Sequence, residues 1–151
     1  MKIKIGTKEV IPQWIELARE VEPIFQGSMA DNEDFKSFMK NKIEKREAIV
    51  AIDENNSNEL MGLITISHNK NSISWFAVFE IYRNQGVGSV LLEYGLNELN
   101  DKKEISVITF DENYIKGFAS RRIYEKFGFE DYESIIEHGH PRTLMKRLPE
   151  K

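Results

Sequence analysis

Cysteine is absent from the sequence. That removes disulfides, thiolate metal centres and a thiol nucleophile from consideration. Histidine is nearly as scarce, with only His68, His138 and His140, so no metal site is expected. No apolar run approaches the ~20 residues that span a bilayer. The opening Met1–Ile5 also lacks the long apolar region of a secretion signal. A cytoplasmic protein without a membrane partner is the expectation. Basic charge is not in excess, since 21 Lys and Arg face 25 Asp and Glu for a net charge of −4. A surface that tracks nucleic-acid phosphates needs the opposite balance. Repeats, low-complexity tracts and linkers are missing too. What is present is an ordinary globular composition, 40% hydrophobic and 30% charged over 151 residues. It is expected to form a single domain over residues 1–151.

The pattern of apolar residues divides the chain into short elements. Ile3 and Ile5 alternate with lysines as a strand does. Ile11, Trp14, Leu17, Ala18 and Val21 share one helical face, which predicts a helix from about Glu9 that stops at Pro23. Asp31 or Asn32 can cap a second helix with Phe35, Phe38, Met39 and Ile43 as its buried stripe. Three apolar runs follow at 48–52, 60–66 and 73–79, separated by short polar turns, as in an antiparallel meander. A helix over about 90–99 and a strand over 104–110 then make a crossover unit, which predicts parallel pairing of 73–79 with 104–110. A fourth helix over 117–126 uses Phe118, Ile123, Tyr124 and Phe127 as its apolar contacts and stops at Gly128. Strands at 129–136 and 142–148 flank a loop over 137–141. The class is α+β, with a mixed sheet of about seven strands and about four helices.

Between the strand at 73–79 and the next helix lies Arg83-Asn84-Gln85-Gly86-Val87-Gly88-Ser89. Glycine lets the backbone turn tightly and lets a ligand approach bare N–H groups. A helix N-terminus adds unpaired donors and a favourable dipole, so this stretch is a candidate cradle for phosphate. Two familiar phosphate motifs fail on spacing. A P-loop needs Lys-Ser/Thr after its second glycine, where Ser89-Val90 stands. The dinucleotide fingerprint needs a small residue where Leu91 stands.

What remains is Arg-x-x-Gly-x-Gly, and here the chain resembles the GNAT superfamily of acyl-CoA-dependent N-acetyltransferases. Arg83, Gly86 and Gly88 match its strand-to-helix signature without a gap. Ile123-Tyr124-Glu125-Lys126-Phe127-Gly128-Phe129 is similar to its second signature, Leu/Phe-Tyr-x-Lys-x-Gly-Phe. The order of elements also fits over most of the chain. The resemblance implies a centrally splayed sheet and acetyl-CoA as cosubstrate, with no metal. It also implies a small-molecule or peptide amine as acceptor, which attacks the thioester carbonyl directly in a ternary complex, on a monomer or homodimer. An acyl-CoA-binding sensor without turnover is the alternative.

Carried over by position, the resemblance places the pantetheine arm along Ala77, Val78 and Phe79, and the pyrophosphate on Asn84, Gln85, Gly86, Val87, Gly88 and Ser89, with Arg83 at the head of the motif. An N–H near Val78 would stabilise the oxyanion, and Tyr124 would protonate the departing thiolate. Many relatives have Asn-x-x-Ala ahead of the tyrosine, where this chain has Gly117 and Ser120, so Asn113 or Ser120 is expected to supply the missing contact. Arg121 and Arg122 are candidates for the coenzyme A phosphates, although an arginine pair on a helix is also an ordinary solvated face. Some relatives hold a glutamate base where Ser72 and Ser74 stand, so no base carries over. Glu80, His138 and His140 are the alternatives. Candidates for the acceptor site are Glu22, Phe25, Gln26, Met29, Trp75, Tyr132, His138 and His140, beside an acidic region made by Glu20, Glu22, Asp31, Glu33 and Asp34.

Overall fold

The computed structural model describes residues 1–149. Strands β1 (Lys2–Ile5), β2 (Ala48–Asp53), β3 (Glu59–Ser67), β4 (Ser72–Val78), β5 (Ile105–Phe110), β6 (Glu130–Glu137) and β7 (His140–Arg147) form one sheet in the order β1-β2-β3-β4-β5-β7-β6. Helices are α1 (Ile11–Phe25), α2 (Glu33–Glu44), α3 (Val87–Asn97) and α4 (Phe118–Lys126). Neighbouring strands are antiparallel except for β4 with β5, the pair joined through α3. This is the expected α+β class and mixed sheet.

Burial is nearly continuous along β2 and β3 because both faces of the sheet are covered, with successive residues directed to opposite faces. Val50, Leu63, Trp75 and Ala77 pack beneath Trp14, Leu17 and Val21 of α1 and Met39 of α2. Ile49, Ile64, Ile66 and Ile73 pack beneath Leu91 and Leu92 of α3 and Tyr124 of α4. The result is three layers, with α1 and α2 on one face and α3 and α4 on the other.

The sheet opens at its middle. β4 and β5 pair only at Ser72↔Ser106 and Ile73↔Val107. The register of β4 on β3 slips just beyond, where Thr65 pairs with Trp75 and Ile66 with Ile73, leaving Ser74 as the extra residue of a bulge. A bulge bends and twists its own strand. β4 therefore turns away from β5 at Ser74 and leaves a wedge-shaped gap.

Several local readings are corrected. α1 runs through Pro23 to Phe25. A proline this near the end forfeits one N–H and little else, and the helix stops at Gln26, whose left-handed φ of 63° ends it with a bond to the Glu22 carbonyl. Asn32 is the cap of α2, its Oδ1 accepting from the Phe35 N–H at 3.1 Å. The loop read over 137–141 is a two-residue turn, because His138 and Gly139 both adopt positive φ, as a tight hairpin requires. In α4, Phe118 faces outward and Arg121 takes a buried place with Gly117 and Tyr124. The Arg121 guanidinium satisfies the Phe110 carbonyl and forms a two-pronged pair with Asp131 at 2.8 Å. These bonds take Arg121 away from the phosphate role.

Candidate active site

A 3-10 turn over Glu80–Tyr82 leads from β4 into residues 83–86. Asn84 (φ 62°) and Gly86 (φ 82°) are both left-handed, a conformation that glycine adopts freely and asparagine tolerates. A Cβ at Gly86 would meet nothing within 4 Å, so the space before it is open. α3 begins at the next residue with no side-chain cap, leaving its first-turn N–H groups available to an anion. A Cβ at Gly88 would lie 3.1 Å from Ile123 and 3.5 Å from Phe76, because this first turn packs closely on α4. Arg83 Nε donates to the Val78 carbonyl at 3.1 Å, and Gln85 Nε2 to the Ile81 carbonyl at 3.1 Å.

The open space is a cleft of about 410 Å³ between α1, β4, α3 and α4. Of the residues expected at a cofactor, Ala77, Val78, Arg83, Asn84, Gly86, Val87, Gly88, Ser89 and Ser120 line it. Phe79, Gln85 and Asn113 do not line it, and the Asn113 N–H is held by Asp111 in an exposed loop. The cleft also takes in Lys116, together with Ile24 and Phe25 of α1. Gly117, at the asparagine position of relatives, has no room for a side chain, since a Cβ would lie 2.3 Å from that of Phe110.

The strand edge beside the cleft has a definite polarity. The Phe79 N–H donates to the Met61 carbonyl at 2.9 Å. Antiparallel ladders alternate bonded and non-bonded pairs, so Ala77, opposite Leu63, also turns its polar groups to β3. Phe76 and Val78 turn theirs toward the gap. Of the three residues expected to meet the pantetheine arm, only Val78 offers it an N–H.

A second cavity, of about 750 Å³, lies across the gap between the α1–α2 connection, β4, β5 and the β6–β7 turn. Phe25, Phe76 and Ser120 line both spaces, so they meet there. Tyr124 stands at that junction, 5% exposed, with its ring edge-on to Phe76 and Phe129 at centroid distances of 6.0 and 5.6 Å. Burial pushes its hydroxyl well above the ordinary phenol range, which keeps it a proton donor at neutral pH.

Among the acceptor candidates, Phe25, Gln26, Met29, Trp75 and His138 line this second cavity. Glu22 instead accepts from the Met29 and Ala30 N–H groups at 2.6 and 2.9 Å and shapes the loop after α1. Tyr132 is 63% exposed at a bulge in β6, with Lys146 Nζ 3.6 Å above its ring. His140 pairs with Glu137 at the hairpin end and lines neither space, and neither does Glu80, whose N–H is taken by Glu20. Ser74 lines the second cavity with its hydroxyl 2.7 Å from that of Thr65. Asp31 pairs with Arg19 and Glu33 with Lys36, which leaves Asp34 as the acid of that region facing the cavity.

Sequence reasoning missed Arg142 and Tyr114. Arg142 reaches from β7 to donate to the Phe25 carbonyl at 2.8 Å and to Gln26 Oε1 at 2.6 Å, with its guanidinium over Phe110. Tyr114 donates to the Ile24 carbonyl at 2.8 Å. Together they cap the last carbonyls of α1, where positive charge and donors are favoured, and tie the two halves of the sheet across the gap. Among the described residues no group of three or more His, Asp or Glu is placed to hold a metal ion, and no helix is long and apolar enough to cross a membrane.

Comparison with known proteins places this geometry. Residues 18–147 match the family described as acetyltransferase (GNAT) domain. An N-acetyltransferase from Staphylococcus aureus Mu50 superimposes with a TM-score of 0.75 at 16% identity, covering 97% of this chain and 100% of its own. A GNAT-family acetyltransferase from Bacillus cereus ATCC 10987 gives 0.73 at 15%, covering 99% and 98%. Naa50 of Arabidopsis thaliana, solved with the bisubstrate analogue CoA-Ac-MVNAL, gives 0.70 at 18%, covering 96% of each chain. No curated protein matches the sequence. The splayed seven-stranded sheet, the glycine turn before α3 and the match over residues 18–147 lead to one conclusion: the chain belongs to the GNAT acetyltransferase family and is an acyltransferase.

Proposed function

We propose that this chain moves an acetyl group from acetyl-CoA to a primary amine, with both substrates bound at once. The observation that carries the reading is the meeting of the two spaces at Phe76 and Ser120, with Tyr124 beside them. One space has the open front of Gly86 and the uncapped N-terminus of α3, which suit a diphosphate. The other has the size of a small-molecule pocket. The analogue held by the Arabidopsis relative supports a shared site for cofactor and acceptor.

Bound acetyl-CoA supplies an activated thioester; the protein supplies the placing of charge. First-turn N–H groups from Val87 to Ser89, with the left-handed Asn84 and Gly86 ahead of them, would hold the pyrophosphate. The gap-facing Val78 N–H would donate to the carbonyl oxygen as it gains negative charge, and an N–H fixed in advance costs no reorganisation. The Tyr124 hydroxyl would give its proton to the leaving sulfur. Ser120 lines both spaces and would contact the cofactor near the thioester.

The absence of cysteine makes the test clean, because a thiol reagent reads only released coenzyme A. Tyr124→Phe is expected to lower kcat by about 10² or more, the usual contribution of a positioned general acid, while coenzyme A affinity is retained. Unchanged thiol release would remove Tyr124 from the catalytic role. Absence of any calorimetric signal with coenzyme A would overturn the whole reading. A specific observation favours one second reading, an acyl-CoA sensor: β4 presents Ser72 and Ser74 and no carboxylate at the start of the gap. Binding of coenzyme A without thiol release across a broad panel of amines would favour it.

A further inference from the structure

We infer that the acceptor is an amine carried on a short chain from an aromatic ring or a comparably flat apolar body, such as an arylalkylamine. This rests on the reading above and names the chemistry of its second substrate. The argument starts from the wall of the larger cavity. Trp75 stands between Phe35 and Phe25, with ring centroids 5.8 and 5.7 Å away, and Phe25 continues to Phe110 at 5.6 Å. All four line the cavity. A wall of this kind takes a ring edge-on or offset-stacked, and it attracts a cation to its faces. With the Trp75 N–H held by Met29 Sδ, this wall itself offers no free polar group to the repeated amines and hydroxyls of a polyamine or an aminoglycoside; the polar residues lie on the rest of the lining.

Charge adds a separate requirement, a cationic acceptor. The cation of the cavity is Arg142, and it is spent on the Phe25 carbonyl, on Gln26 and on the face of Phe110. Two carboxylates, Asp34 from the first turn of α2 and Glu137 from the end of β6, line the same cavity without an ion partner among the described residues. The cavity therefore draws in an ammonium and discourages an acceptor that carries a carboxylate. Position completes the match. The cavity reaches the cofactor cleft at Phe25, Phe76 and Ser120, so a ring lodged against Trp75 and Phe35 leaves its amine one short chain away, at the junction beside Tyr124. After the ammonium loses a proton to solvent, its lone pair forms the C–N bond to the acetyl carbon. The C–S bond breaks, the thiolate takes the Tyr124 proton, and the proton shed by the new amide nitrogen returns through solvent to the Tyr124 oxygen as coenzyme A leaves.

Thiol release is measured with acetyl-CoA and 2-phenylethylamine, tryptamine, a peptide bearing N-terminal phenylalanine, spermidine and an aminoglycoside. The expected result is kcat/KM about tenfold or more higher for the aromatic amines than for the polar polycations. Whether the free amines or the peptide lead tells a metabolite source from a polypeptide one. Equal or faster release with spermidine or the aminoglycoside overturns this inference and leaves acetyl transfer standing. No release with any amine, coenzyme A still binding, defeats acetyl transfer itself. Trp75→Leu is expected to raise KM for 2-phenylethylamine and shrink its preference over spermidine to about threefold or less. Phe35→Ala, at the partly buried end of the same wall, makes the same test if Trp75→Leu does not fold. The paired change Asp34→Asn and Glu137→Gln is expected to raise KM for the cationic amine about threefold at low salt, with kcat unchanged. A preference that survives loss of the aromatic wall in a folded variant refutes the assignment.

Discussion

Replacing Gly86 with valine separates the cradle's binding role from its folding role. The φ of 82° at Gly86 is one that a β-branched residue adopts at a cost of about 1–2 kcal/mol. No atom lies within 4 Å of the new Cβ, so the branch point itself meets no neighbour. The variant is expected to fold, with a loss of about 1–2 kcal/mol from a total near ~10 kcal/mol. The new side chain, however, fills the open space where a diphosphate would approach the backbone. One charge-assisted hydrogen bond is worth about 1.5–3 kcal/mol, so displacing the anion from a single N–H weakens coenzyme A by about tenfold to a hundredfold. Gly88→Ala is the contrast, because its Cβ would press 3.1 Å from Ile123 on the packed side. It is expected to lower stability by about 1 kcal/mol and to affect binding less. Calorimetric titration with coenzyme A, alongside urea unfolding of the same samples, reads both quantities. A folded Gly86→Val protein that binds coenzyme A within about threefold of the parent would refute the cradle, since even one lost charge-assisted bond exceeds that.

Three further predictions concern the frame around the site. Lys42 is buried with Glu47 at 3.0 Å, while Glu47 also accepts from the His68 N–H at 2.6 Å; burial alone raises the Glu47 carboxyl, but these partners outweigh it and hold it below the ordinary carboxylate range. Its contribution is therefore present above the unfolded-state value near ~4.3 and lost as pH falls through the lower folded value. Lys42→Met is expected to cost about 3–5 kcal/mol at pH 7, with a smaller deficit near pH 4, by urea unfolding; a pH-independent deficit would contradict this. Gly117→Asn is expected to destabilise by about 2 kcal/mol or more through the clash with the Cβ and ring of Phe110, and Phe110→Gly, which removes both, is expected to recover part of that loss, which a double-mutant cycle measures. Arg142→Leu is expected to raise KM for the amine severalfold and leave coenzyme A affinity nearly unchanged, because Arg142 lines only the larger cavity; an equal loss in both would show that its tether shapes the cofactor cleft as well.

What the sequence revealed was local. The turn at 83–88 could be read because its chemistry, an arginine, two glycines and a following helix, lies within a few consecutive residues. Tyr124 could be placed because its distance to Gly128 and Phe129 is short and characteristic. Arg121 could not be assigned from its neighbours: an arginine on a polar helix normally faces water, and only the Phe110 carbonyl and Asp131 make a buried place for it. The bulge at Ser74 left no trace in an apolar run that reads as one strand, since register belongs to the pair β3–β4 and not to either strand alone. Tyr114 and Arg142 act on carbonyls 90 and 117 residues away, and no periodicity encodes such partners.

Those separations have a consequence for the order in which the molecule is completed. A chain is synthesised and folds from its N-terminus. β4, the glycine turn and α3 are all in hand by Asn97, so the anion-holding backbone can exist before any of β5, β6 or β7 has been made. The acceptor chamber cannot, because Arg142 sits in the last strand and clasps the end of the first helix. The anion-holding backbone of the donor's seat comes early in the chain and its α4 wall later, while the acceptor's chamber is closed by a residue of the last strand.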